Sequence, residues 1–182
     1  IANNTGEPTF ENTILAMENA GEFLSNVNVV FSNLNGANTN EVLQNIAKEV
    51  APILASHSDN IYLNEKLFSR VKALWNKKES LNLNLEQAKI LDNQYKAFVR
   101  SGANLSNADK AKLRTINGEL SLTSLKYGQN ILAETNKYEL VIETKKDLVG
   151  LPQELIDAAA ADAKSKGKEG KWFFTLSNSS VM

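Results

Sequence analysis

Apolar residues recur along most of this chain at alternating steps of three and four, the spacing that gathers side chains on one face of an α-helix. Pro8 and Thr9 open the first such run, with Thr9 placed to cap a helix and Glu11 in its first turn. Phe10, Ile14, Met17, Gly21, Leu24, Asn28 and Phe31 follow in register, predicting one continuous helix that ends near Asn35 and Gly36. Asn28 interrupts the stripe and should face its edge or find a buried partner.

The second run starts at Thr39 and carries Val42, Leu43, Ile46, Val50, Ile53 and Leu54. Pro52 inside it should kink or split the helix, because proline lacks the N–H that the preceding turn needs. His57, Ser58, Asp59 and Asn60 read as a turn. Asn64 then caps a third helix with Leu67, Phe68, Val71, Leu74 and Trp75, and Asn84 caps a fourth with Ala88, Leu91, Tyr95, Phe98 and Val99. Gly102 is its stop. Ser106 and Asp109 have the spacing of a capping box, with Asp in place of the usual Glu or Gln. Behind them Leu113, Ile116, Leu120, Thr123, Tyr127 and Ile131 mark a long fifth helix. Gly118 and Gly128 each weaken it by about 1 kcal/mol relative to Ala, or else admit a neighbouring helix.

The tail changes period. Tyr138 to Glu143 alternates and is rich in β-formers, Pro152 opens a helix that Gly167 ends, and Lys171 to Ser177 reads as a second strand. Two strands bracketing a helix can pair, but a lone pair needs something to pack on, so further strands or a helix from elsewhere are expected. The predicted fold is mainly α: an antiparallel helical bundle over residues 1–136 with a strand–helix–strand appendage over residues 137–182, packed as one domain. No repeat or linker divides the chain. Ile1 stands in place of Met, and Ser179, Ser180, Val181 and Met182 follow an extended run without a cap. Both ends are therefore expected to be cut, or else trimmed of loose tails.

Composition narrows the chemistry. With 20 basic against 21 acidic residues the net charge is −1, which gives no pull toward nucleic acid or an anionic membrane. No apolar run approaches the ~18 residues of a membrane span, and no signal peptide is evident. There is no cysteine, which removes disulfides and thiolate chemistry and fits a cytoplasmic or a periplasmic location alike. The N-x-S/T triplets at Asn3, Asn104 and Asn178 are of a kind that arises by chance in an Asn- and Ser-rich chain.

The search for a catalytic group finds none. His57 is the sole histidine, so the paired histidines of an H-E-x-x-H zinc site are missing, and His57 reads as a locally bonded turn residue. Ser58 and Asp59 beside it cannot fold back into a Ser-His-acid triad. Glu18 and Glu22 on the first helix, and Glu139 and Glu143 on one strand face, read as solvated carboxylates with nothing apolar to raise a pKa. Lys164, Lys166, Lys168 and Lys171 read as a solvated helix end diluted by Asp162 and Glu169. No phosphate-binding glycine loop is present. Catalytic, cofactor-binding and metal residues are all expected to be absent from this chain.

Several strings in order along the chain resemble the N-terminal region of the thimet oligopeptidase and peptidyl-dipeptidase family of zinc metallopeptidases. They are PTFENTILAME (Pro8 to Glu18), KEVAPILASHSDNIYLNEKLFSRVKAL (Lys48 to Leu74), FVRSGANLSNADKAKL (Phe98 to Leu113), YGQNILAETNKYEL (Tyr127 to Leu140), LVGLPQELI (Leu148 to Ile156) and GKWFFTL (Gly170 to Leu176). The resemblance implies a two-lobed helical peptidase with zinc in a deep channel, the ligands lying downstream of the matched region. It implies further that this segment is non-catalytic, walls the channel that admits short peptides, and pairs with a catalytic half of the same parent chain. The bulk properties equally suit a free-standing helical interaction module that binds a partner in a groove.

Overall fold

The computed structural model describes residues 1–176. Helices hold 72% of the described residues, which also include a two-stranded sheet toward the C-terminal end, and the fold is mainly α as expected. The chain divides into two compact units, residues 1–125 and the residues from Lys126 onward.

In the first unit Thr9 caps the opening turn as predicted. Its Oγ1 accepts from the Asn12 N–H at 3.1 Å, and the Asn12 side chain accepts from the Thr9 N–H at 2.9 Å, closing a capping box. The helix that follows is not continuous. A π-helical turn, Phe10–Leu15, passes into the short α1 (Ala16–Glu18), and the chain then bends through Gly21 at φ +83°, a conformation that glycine adopts without strain. The predicted stripe thus splits in two. Phe10 and Ile14 are buried, whereas the second piece, α2 (Glu22–Ala37), buries no residue.

Helix α3 (Glu41–Tyr62) starts two residues later than expected, with Asn40 accepting from the Leu43 N–H at 3.0 Å. It runs unbroken through Pro52, so the predicted split is absent; the carbonyl that proline leaves without a partner belongs to exposed Lys48. It also absorbs His57 to Asn60, which are helical and not a turn. Asn64 caps α4 (Glu65–Asn76), and Asn84 with Gln87 forms a full capping box on α5 (Leu85–Arg100).

Helix α4 lies at the centre of the first core. Leu67, Val71 and Leu74 recur on one face, and with Phe10 and Ile14 they enclose Leu91 and Phe98 of α5. Phe98 meets Tyr62 edge-on at 5.1 Å and stacks on Phe68 at 5.8 Å, while Trp75 stacks on Tyr95 at 4.1 Å. Aromatic pairs in these orientations add about 0.5–1.5 kcal/mol each beyond area burial. Gly102 ends α5 at φ +93°, packed so closely that a Cβ there would lie 2.8 Å from the side chains of Leu105 and Leu113.

Helix α6 (Asn107–Lys137) corrects the sequence reading. Its only buried residue is Lys110, while Ile116, Leu120, Tyr127 and Ile131 of the predicted stripe are exposed. Within the first unit its start is held by polar contacts. Lys110 reaches Glu65 at 3.3 Å, Arg114 donates to Asn60 at 3.0 Å, and Asn117 donates to buried Asp59 at 2.6 Å. The capping box is half made: the Asp109 N–H donates to Ser106 Oγ, but the Asp109 carboxylate accepts from the Ser106 hydroxyl instead of from the cap N–H. Among the described residues a Cβ on Gly118 or Gly128 would meet nothing within 4 Å, so no described helix approaches closely there.

The second unit holds β1 (Leu140–Ile142) and β2 (Trp172–Phe174), paired antiparallel with Leu140 opposite Phe174 and Ile142 opposite Trp172. Between them lie a 3₁₀ turn, Lys145–Leu148, and α7 (Gln153–Ser165), with Pro152 in the capping position just before the helix. Gly167 at φ +71° ends it. Leu148, Ala159 and Phe174 form a small core flanked by Ile142, Leu155 and Ile156, so α7 supplies a face for the strands to pack on. The predicted second strand stops at Phe174, and its last expected residue, Ser177, lies outside the described residues.

Candidate functional site

The titratable residues singled out in the sequence are scattered. His57 is exposed on α3, and the buried Asp59 two positions on is directed elsewhere, toward Asn117. Glu18 closes α1 and Glu22 opens α2, so the bend at Gly21 separates two carboxylates expected on one helix face; Glu18 Oε1 instead accepts from Gln94 at 2.6 Å. Among the described residues no three His, Asp or Glu side chains converge closely enough to hold a metal ion.

Glu139 and Glu143 flank β1 and are not free carboxylates. Lys168 and Lys166 donate to Glu139 at 2.7 and 3.2 Å, and Lys171 donates to Glu143. Hydrogen bonds from these lysines hold both carboxyls below the ordinary glutamate value. A general acid needs the opposite shift. The lysine cluster is thereby accounted for, with Lys166 also lying 3.9 Å from the Phe173 ring centroid and Lys164 paired to Glu169 at 3.3 Å. The triplet asparagines Asn3 and Asn104 are exposed, Asn3 accepting from Lys66 at 3.2 Å, and Asn178 lies outside the described residues.

A cleft of about 550 Å³ opens in the first unit where α2 meets α3. Met17, Leu24, Leu54, Ile61 and Tyr62 give it an apolar wall, with His57, Asn28 and Gln94 as its polar members. Asn28, which interrupted the predicted stripe, therefore lines an open cleft and not a core. Gln94 donates its amide N–H to Glu18 and leaves a buried Oε1 without a protein partner among the described residues. Such a wall accommodates an apolar side chain. The sequence carried no sign of it, since its lining comes from five helices.

Comparison with known proteins finds sequence relatives. The chain is 39% identical to the dipeptidyl carboxypeptidase of Escherichia coli (strain K12) over 178 residues, covering 98% of this chain and 26% of that protein. The dipeptidyl carboxypeptidase of Salmonella typhimurium is 38% identical over the same share. The chain is a sequence relative of these peptidases. It matches the N-terminal region of the dipeptidyl carboxypeptidases, and more distantly oligopeptidase A of Haemophilus influenzae, at 29% identity over 168 residues. The chain spans about a quarter of the length of the dipeptidyl carboxypeptidases it matches. No family model matches it.

Proposed function

We propose that this chain serves as the non-catalytic N-terminal portion of a zinc-dependent oligopeptidase of the peptidyl-dipeptidase kind, and that its helices wall the channel through which short peptides reach the reacting centre. The observation that carries the reading is the match over 98% of this chain to 26% of a dipeptidyl carboxypeptidase. The residues here do not fit the zinc: His57 is the sole histidine, and no carboxylate pair joins it in a donor set among the described residues. In this reading the metal belongs to the remainder of the parent chain, and no catalytic step is assigned to this one.

What this segment contributes is shape. Helices packed around the Phe98 core form a stiff wall, and a stiff wall discriminates by width: it passes an extended peptide and stops a folded protein. The test is hydrolysis by the product of the full reading frame that contains these codons. Release of C-terminal dipeptides from short peptides, no cleavage of a folded protein, and no activity in the 182-residue chain alone are expected. Peptide hydrolysis by the 182-residue chain would sink the non-catalytic reading.

A further inference from the structure

Helix α2 presents a contradiction that a partner resolves. Phe23, Val27, Val30 and Leu34 lie at steps of four, three and four, on one face, and are 84%, 52%, 60% and 57% exposed. No residue of α2 is buried, yet Glu22 is its single charged residue in 16. A helix that lives in water carries charge on its wet side. Charge depletion with an intact apolar stripe is the composition of an interface core. A membrane-surface helix would also need lysine or arginine on its polar face, and α2 has neither.

We propose that the Phe23–Val27–Val30–Leu34 face of α2 is covered by the remainder of the parent peptidase as a permanent interface within one protein. This rests on the proposed function above. The occupant is chosen by length: about three quarters of the dipeptidyl carboxypeptidases lie outside the matched stretch, so a large partner surface is covalently at hand.

The test is the double substitution V27D/V30D, made both in this chain and in the full-length parent, together with binding of this chain to the separately produced remainder. In this chain both positions are already wet, so the melting temperature should hold. In the parent the melting temperature should fall, and binding of the two pieces should weaken on the order of a hundredfold. Unchanged binding and an unchanged parent melting temperature would overturn the assignment of this face while leaving the N-terminal reading intact. Dimerisation of this chain that V27D/V30D abolishes, without binding to the remainder, would give the face to a second copy and overturn the proposal. A reading frame with no peptidase sequence beyond Met182 would overturn both the proposal and the function it rests on.

Discussion

Arg70 donates from Nη2 to the Asn12 side-chain oxygen at 2.7 Å, across 58 residues of sequence. The same guanidinium donates from Nη1 to the carbonyls of Asn4 and Gly6, at 2.9 and 2.8 Å, and it is buried. Asn12 meanwhile closes the capping box with Thr9. One α4 side chain thus ties down the whole entry segment, and its fork of donors is what a lysine lacks.

Substitution of Arg70 by Met should therefore cost about 2–4 kcal/mol, since charge-assisted bonds are lost and buried acceptors are left bare. Urea denaturation of R70M, N12A and the double variant checks this. The two single effects should fail to add by about 1 kcal/mol or more; full additivity would mean that the Arg70–Asn12 contact contributes nothing.

Phe98 is fully buried against Tyr62 and Phe68. Phe98→Ala should cost about 3–5 kcal/mol, a large part of the roughly 5–15 kcal/mol that holds a domain folded. A loss below about 1 kcal/mol in the same denaturation experiment would show that the core closes over the gap.

At Gly118 an added methyl group meets nothing, and the residue is helical without a positive φ. Gly118→Ala should stabilise the chain by up to about 1 kcal/mol through helix propensity alone. A lower melting temperature for this variant would mean that a neighbour uses the space.

Glu139 contributes to the pH dependence of the second unit, as Glu143 does. Its carboxyl is held below the ordinary value by Lys168 and Lys166, so the folded state favours the ionised form. That contribution is present above the ordinary glutamate value and fades as pH falls through the lowered one. Glu139→Gln should accordingly destabilise the second unit at neutral pH, and the gap to the wild type should close in acid. Amide exchange of β1 at both pH values is the measurement, and a gap independent of pH would assign the effect to packing.

Helix caps were legible because they are local. Thr9, Asn64 and Asn84 each need only a side-chain oxygen and an N–H three residues on, and each caps as read. The core stripe of α4 was legible for the same reason, since its period matches one helix face. The bend at Gly21 was not. A stripe of one period across Gly21 reads the same whether the helix continues or turns, and only packing of α1 against its neighbours selects the turn. The cleft escaped too, because Gln94 and His57 lie on different helices with no sequence relation between them.

By itself the sequence determined that the chain is helical, where most helices begin, and that a single histidine and no cysteine leave little local chemistry. These follow from period, capping and composition, all properties of neighbours along the chain. The tertiary structure decided which stripes meet a partner. The faces of α4 and α5 close on each other around Phe98, whereas the apolar positions Phe23, Val27, Val30 and Leu34 of α2 and Ile116, Leu120, Tyr127 and Ile131 of α6 are exposed. A hydrophobic period states that a face seeks burial, but whether it is buried depends on what the rest of the fold brings within contact distance.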